Sequence, residues 1–115
     1  MIKVQAEIFQ ALASPIRLAI VNLLYRGDLS VHGITEALTE MDVPHTADRT
    51  NVCKNLALLR RLRIVTVRKD RQQRIYSLQA RCLVEAVRCT LDVIALQKKL
   101  EKGAGASMPA QEQER

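Results

Sequence analysis

Basic side chains are concentrated in one segment of the chain, residues 49–74. The segment holds nine Lys and Arg residues against a single acid, Asp70, whereas the rest of the chain holds nine basic and eleven acidic residues, so the whole excess behind the net charge of +6 is local. The nine are Arg49, Lys54, Arg60, Arg61, Arg63, Arg68, Lys69, Arg71 and Arg74. Ammonium and guanidinium groups bind phosphate oxygens, and basic residues clustered in this way are typical of nucleic-acid binding. The sequence therefore predicts double-stranded DNA as a partner. The alternative is an ordinary solvated surface on a basic protein.

The three cysteines, Cys53, Cys82 and Cys89, are the other residues whose chemistry is evident. A thiolate binds soft metal ions and is readily oxidised. No Cys-x-x-Cys pair is present, and the seven residues from Cys82 to Cys89 span about 10.5 Å of helix, too far for one disulfide or one shared ion. Joint chemistry of these two thiols therefore requires a second copy of the chain. The alternative is that the cysteines are small apolar residues of the core.

The composition argues against several classes of protein. Aromatic residues make up 3% of the chain and Trp is absent, which disfavours a stacking surface for single strands or sugars. The sequence has no glycine-rich phosphate loop and no Gly-x-Ser-x-Gly motif, so we expect no enzyme activity. A chain of 115 residues accommodates one domain, and no stretch approaches the roughly 18 apolar residues of a membrane helix. We expect a cytoplasmic protein with no membrane partner.

The elements that position these residues follow from the spacing of the apolar side chains. A first helix ends before Ser14-Pro15, and Ser14 and Ser30 are typical N-cap residues. The predicted elements after it are helices at about 15–26, 31–41, 48–62 and 80–102, strands at 64–67 and 75–78 around a polar turn at 69–73, and a disordered tail at 103–115. The fold class is thus mainly α, with about five helices and a small two-stranded β wing. We expect residues 1–102 to form one winged helix-turn-helix domain for DNA binding and dimerisation, because the order of elements is the order found in that fold.

The fourth helix separates apolar from cationic side chains. At about 100° per residue, Val52, Leu56 and Leu59 share one face. The opposite face is small and cationic, which suits the major groove, and the basic hairpin beside it can reach phosphates or the minor groove. The candidate DNA-binding residues on the helix and the hairpin are Arg49, Thr50, Asn51, Cys53, Lys54, Ala57, Arg61, Arg68, Lys69, Arg71 and Arg74.

Four segments carry a resemblance to a known family. They are LASPIRLAIVNLL from Leu12, GDLSVHGI from Gly27, VCKNLALLRRLRIV from Val52 and RIYSL from Arg74. In this order they resemble the ArsR/SmtB family of bacterial repressors, over roughly residues 5–95. The resemblance implies a homodimeric repressor that leaves its operator when an inducer binds, with the first and last helices packed across the dimer. The candidate interface residues on those helices are Ile8, Leu12, Val84, Val87, Leu91 and Ile94.

The chain departs from the family pattern near the fourth helix. Cys53 stands where the pattern Val-Ser-x-His-Leu has serine, and the linker of residues 42–47 before this helix is longer than usual. Arg63 stands where the family usually has glycine, the residue that adopts left-handed backbone most easily.

The two sensing sites known in the family are incomplete in this chain. Ser30 and His32 occupy the positions of the arsenic-type cysteines, and Cys82 is the one ligand-capable side chain at the zinc-type positions. The remaining candidates for sensing are Cys53, Cys82 and Cys89, through a soft metal ion, arsenite or an oxidant. Cys53, beside Lys54 on the predicted DNA-facing helix, is the thiol whose modification we expect to block DNA binding most directly. The alternative function is a winged-helix nucleic-acid-binding protein without an inducer or without strong sequence specificity.

Overall fold

The structure, a computed structural model, describes residues 1–41, 43 and 48–103. These residues form five helices and a three-stranded antiparallel sheet. The helices are α1 (Ile2–Leu12), α2 (Pro15–Arg26), α3 (Val31–Thr39), α4 (Arg49–Arg61) and α5 (Arg81–Lys102), and the strands are β1 (Leu29–Ser30), β2 (Val65–Asp70) and β3 (Gln73–Leu78). The chain divides into two compact units, residues 1–84 and 85–115, and the described part of the second is the remainder of α5 with Gly103.

The helices α2 and α3 begin where serine side chains cap their free N–H groups. The Ser14 hydroxyl accepts a hydrogen bond from the Arg17 backbone N–H at 3.4 Å, and Pro15 occupies the first turn of α2. The Ser30 hydroxyl accepts from the Gly33 N–H at 3.1 Å at the start of α3. Each cap satisfies a backbone donor that has no partner within its helix. The mainly helical fold predicted from these caps and the apolar spacing is confirmed.

The core of the first unit lies between α2, α3, α4 and the sheet. Its fully buried side chains are Ile20, Val21, Leu24, Ile34, Leu38, Val52, Leu56, Leu59, Ile64, Val65 and Val84. The inward face predicted for α4 is therefore the buried face, and burial of these side chains fixes which residues of α4 point to solvent. Met41 does not extend α3 as the apolar spacing predicted, because the helix ends at Thr39 and the Met41 side chain is exposed.

The sheet differs from the predicted hairpin in two ways. Its strand order is β1-β3-β2, so the two-residue strand β1 adds a third strand, with Leu29 opposite Tyr76. The turn is also shorter than predicted, since Lys69 pairs with Arg74 and Asp70 pairs with Gln73. Polar residues can continue an exposed ladder because backbone groups make its hydrogen bonds. Their polarity was therefore a poor guide to where the strands end.

No single helix in the described part of the chain is long and apolar enough to cross a membrane. The helices α1 and α2, which meet at a bend of 88°, have the length and composition of a membrane span only when they are taken together. The predicted tail, apart from Gly103, and most of the linker before α4 lie outside the described residues.

Candidate nucleic-acid interface

The exposed face of α4 carries small and cationic side chains. Thr50, Lys54, Ala57 and Arg61 are exposed on the side opposite the buried Val52, and Asn51 beside them is half-buried. The Asp48 carboxylate caps the helix by accepting from the Asn51 backbone N–H at 2.7 Å. The first turn of α4 is thereby held in place at the end where recognition helices contact base edges.

A cleft of about 940 Å³ lies beside this face, between α4, the start of α3 and the hairpin of β2 and β3. Its lining residues are Ser30, Val31, His32, Arg49, Cys53, Ala57, Arg60, Arg61, Arg63, Gln72, Gln73, Arg74 and Tyr76. Five of these are arginines, and none of the described residues that line the cleft is acidic. We call it the arginine cleft. Planar guanidinium groups bind phosphate oxygens in pairs of hydrogen bonds, so the arginine cleft is suited to a nucleic-acid backbone.

Arg60 and Arg63 line the arginine cleft, although neither was among the DNA-binding residues predicted from the sequence. Arg60 is exposed on the side of α4 that carries Cys53, two turns earlier, and Arg63 lies beyond the helix end. Both belong to the basic segment of residues 49–74, and that cluster of charge is the sequence feature that could have identified them. Their proximity to Arg74 depends on how the hairpin packs beside α4.

The hairpin tip carries more positive than negative charge, with Lys69, Arg71 and Arg74 against the single acid Asp70. Lys69 and Arg74 face each other across the ladder and are both exposed, and Arg71 occupies the turn with a φ of 61°. Like charges directly opposite each other destabilise a strand pair. A bound polyanion would remove that repulsion, so the tip is better suited to the complex than to the free protein.

Arg68, one of the predicted DNA-binding residues, has a partner within the chain. Its Nη1 lies 2.8 Å from Oδ2 of Asp28, in the loop before β1, and donates to the Ser77 hydroxyl at 3.1 Å. The hydrogen bond from Arg68 lowers the pKa of Asp28 below its ordinary value, so the carboxylate is ionised at neutral pH. This ion pair is exposed, and it neutralises one of the hairpin's cations.

All three cysteines are free thiols and all are exposed in the single chain. The interpretation of the cysteines as core residues is therefore wrong for this chain. Cys53 lies in the arginine cleft, whereas Cys82 and Cys89 are at exposed positions of α5. Among the described residues, no three His, Cys, Asp or Glu side chains come together in a group that could hold a metal ion.

The predicted dimer-interface residues fall into two groups. Leu12 is 4% exposed and Val84 is 0% exposed, so these side chains belong to the core of the chain and have almost no surface left for a second copy. Ile8 and Val87 are half-buried, while Leu91 is 55% and Ile94 is 43% exposed. The helical spacing was regular through all six positions, and packing within one chain decided which of them are covered.

Comparisons with known proteins identify regulators of the same fold. No model of a protein family matches the chain. It is 34% identical over 93 residues to the uncharacterized HTH-type transcriptional regulator Rv0081 of Mycobacterium tuberculosis H37Rv, a match that covers 81% of this chain and 76% of that protein. The crystal structure of Rv0081 superimposes with a TM-score of 0.68 at 31% identity, covering 90% of this chain and 95% of the other.

A second solved structure is that of Mb0332 from Mycobacterium bovis. The solution structure of its fragment 1-100 is described as a homodimeric winged helix-turn-helix DNA-binding domain of a possible ArsR-family transcriptional regulator. It is 25% identical to this chain, covers 87% of this chain and 85% of its own, and has a TM-score of 0.64.

Proposed function

Because the chain belongs to the ArsR/SmtB-type winged helix-turn-helix transcriptional regulators, we propose that it is a cytoplasmic, dimeric repressor released from its operator by a thiol-directed inducer. The observation that carries the proposal is the exposed Cys53 thiol in the arginine cleft, on the same surface as the cations that bind DNA. Any group added to this sulfur occupies space that a phosphate backbone needs.

The DNA-binding surface combines α4 and the hairpin. In this arrangement α4 enters the major groove, and the arginine cleft and the hairpin tip contact the flanking phosphates. Phosphate contacts supply affinity for any sequence, whereas the side chains at the start of α4 distinguish operators from other DNA. Thr50, Asn51 and Lys54, on the accessible side of the first turns of α4, are our candidates for that second role.

The exposed apolar side chains of α5 support a homodimer. Leu91, Val93, Ile94, Leu96 and Leu100 are all exposed in the single chain, and exposure of so many large apolar side chains on one helix marks an interaction surface. The homodimeric relative Mb0332 supports a second copy of this chain as the occupant. Two copies present two α4 helices to two half-sites of an operator.

The inducer reacts with a thiolate, and its chemical class is arsenite, a soft metal ion, an oxidant or a persulfide. The addition at Cys53 introduces bulk on the exposed side of α4, next to the arginines that contact phosphate. Binding of the inducer and of the operator are then mutually exclusive.

The first experiment is equilibrium binding of the reduced, metal-free protein to DNA from upstream of its own gene and to a scrambled duplex, at several salt concentrations. We expect a preference of about 10³-fold or more for the native duplex, with two protomers at each site. Equal, steeply salt-dependent binding to both duplexes would instead identify a winged-helix protein without strong sequence specificity.

The second experiment tests the switch with matched variants. Arsenite or hydrogen peroxide should release the unaltered protein from its preferred duplex and should fail to release Cys53→Ser, which preserves the size of the side chain. Cys82→Ser and Cys89→Ser are the controls, because they remove exposed thiols outside the arginine cleft. Undiminished release of Cys53→Ser would refute the role of this thiol.

A further inference from the structure

A second, smaller cleft of about 360 Å³ lies between the end of α1 and the end of α4. On α4 its lining residues are Leu58, Arg61 and Leu62, whose spacing of three and four places them on one side of the helix. On α1 they include Glu7 and Ala11, which are also four residues apart. We call it the α1–α4 cleft. Its volume is in the lower part of the range found for small-molecule sites in proteins.

Arg17, which α2 contributes to the α1–α4 cleft, is half-buried and anchored to both neighbouring helices. Its Nε donates to the backbone carbonyl of Ala11, and its Nη1 donates to Oδ1 of Asn55 at 2.8 Å. The third nitrogen, Nη2, has no hydrogen-bond partner among the described residues. Arg17 therefore retains donors for a ligand. Because two bonds already orient the guanidinium group, less conformational entropy is lost when a ligand binds to it.

Arg61 is shared between the α1–α4 cleft and the arginine cleft, because it lines both of them. It is exposed, and it makes no hydrogen bond or ion pair with any described residue. Its long side chain can therefore turn to a phosphate on one side or to a ligand on the other. A ligand that holds the Arg61 guanidinium group in the α1–α4 cleft removes one cation from the surface proposed to bind DNA.

The charges and the apolar surface of the α1–α4 cleft define the chemical class of its ligand. Two arginines and one acid, Glu7, give its lining a net charge of +1. A carboxylate matches the paired donors of a guanidinium group, whereas an anion with two charges is repelled more strongly by Glu7. Leu58 and Leu62 are half-buried and offer apolar surface to the rest of the ligand.

We propose that the α1–α4 cleft binds a small monocarboxylate with an apolar body, and that this ligand weakens DNA binding by engaging Arg61. The carboxylate accepts hydrogen bonds from Arg17 and Arg61, and the apolar body packs against Leu58 and Leu62. The site is separate from the thiol chemistry, since no cysteine is among the described residues that line it. The effect on DNA rests on the proposed function, whereas binding of the carboxylate to the free protein does not.

The first test is a titration of the reduced protein with 4-methylpentanoate at constant pH and ionic strength, followed in 1H–15N NMR spectra. We expect saturable changes at the Arg17 Nε–H and at the backbone amides of Leu58 and Leu62, with a Kd of about 10 mM or lower. 4-Methylpentanamide lacks the charge and acetate lacks the apolar body, so both should bind more weakly. No saturable change, or equal affinity for all three compounds, would overturn the proposal. So would changes confined to the arginine cleft, for example at Arg49 and Arg74.

Glu7→Gln tests the charge argument in the same titration. Glu7 is exposed, so the fold should tolerate the change. Removal of the negative charge should raise the affinity for 4-methylpentanoate by about twofold or more, because the repulsion of the carboxylate is lost. Glu40→Gln, which removes an exposed acid outside the α1–α4 cleft, is the control and should leave the affinity unchanged. Equal affinities of the two variants would overturn the charge argument.

The second test connects the α1–α4 cleft to DNA through Arg61. Saturating 4-methylpentanoate should lower the affinity of the unaltered protein for its preferred duplex by about threefold or more, because one phosphate contact is lost. In Arg61→Gln it should have no effect on the remaining affinity. Arg60→Gln is the matched control, since Arg60 lines the arginine cleft alone, and this variant should still respond. Cys53→Ser should also respond, because a carboxylate does not react with thiols.

The outcomes separate this proposal from the proposed function. If the unaltered protein binds all duplexes equally but binds 4-methylpentanoate saturably at Arg17, the sequence-specific repressor fails and the carboxylate site stands. If the protein is selective for its duplex but binds no carboxylate, the site fails and the repressor stands. Equal responses of Arg61→Gln and Arg60→Gln to 4-methylpentanoate would overturn the shared role of Arg61.

Discussion

Arg63 and Arg71 both have positive φ angles, 63° and 61°, in a region of backbone space that glycine occupies without strain. A side chain with a Cβ pays about 1 kcal/mol for such a conformation. Arg63 follows the end of α4 and lines the arginine cleft, and Arg71 lies in the turn of the hairpin. Both strained positions thus place a cation on the surface proposed to bind DNA, so the strain accompanies a charge used in binding.

Arg63→Gly should have opposite effects on the stability of the protein and on its binding to DNA. The free energy of unfolding, measured by urea denaturation, should rise by about 1 kcal/mol because the strain is relieved. The dependence of DNA affinity on salt should weaken by about one unit of slope, because one phosphate contact is lost. Arg63→Ala is the matched control, since it removes the same charge but keeps the Cβ. If both variants gained the same stability, the strain argument would be wrong.

Two basic residues of the hairpin are suited to binding a polyanion, but their repulsion destabilises the pairing of the two strands. Lys69 and Arg74 are directly opposite each other in the ladder of β2 and β3. Lys69→Glu should raise the free energy of unfolding by about 0.5 kcal/mol, since it replaces a repulsive pair by an attractive one. The same change should weaken DNA binding. Lys69→Gln is the matched control, because it removes the lysine charge without adding a carboxylate and should give a smaller gain in stability. A gain in Lys69→Gln equal to that in Lys69→Glu would show that no attraction to Arg74 forms.

The ion pair of Asp28 and Arg68 connects the loop before β1 to the hairpin. The pKa of Asp28 is lowered in the folded protein, so the contact contributes stability above the carboxyl's ordinary value of 3.8 and loses it as the pH falls through the lowered value. The side-chain carboxyl signal of Asp28 in an NMR titration should therefore have its midpoint below 3.8. In Arg68→Ala the midpoint should move upwards, because the main hydrogen-bond donor is gone. An unchanged midpoint would show that Arg68 is not the cause.

We expect the protein to be a dimer whose interface includes Leu91 and Ile94, which are exposed in the single chain and share one face of α5. Leu91→Glu should shift the sedimentation equilibrium towards monomer, because a carboxylate at the interface must lose its hydration. Ala86→Glu adds the same charge at an exposed position of the same helix that is not next to Leu91 or Ile94, and it should remain a dimer. The monomeric variant should also lose the preference for a two-half-site operator. A stable Leu91→Glu dimer would exclude this face of α5 as the interface.

The elements of the fold could be predicted from the sequence because they depend on residues close together in the chain. Capping by Ser14 and Ser30 acts over three residues, and the apolar face of α4 repeats over three and four. The basic segment and its phosphate chemistry are likewise local, so composition alone indicated a nucleic-acid partner. By the same local reasoning the strand ends were misplaced and β1 was missed, since a two-residue strand exists only through its pairing with β3.

The tertiary structure decided the contacts between residues that are distant in sequence. Arg17 meets Asn55 across 38 positions, and Asp28 meets Arg68 across 40. No periodicity links such pairs, because the packing of separate elements brings them together. The same packing brings Arg49, Arg63, Arg74 and Cys53 to the lining of one cleft. It also buries Leu12 and Val84 within the single chain. The sequence by itself thus determined the elements, their order and the charge that they carry. The tertiary structure determined which of those charges act together, because only packing in three dimensions sets the distances between them.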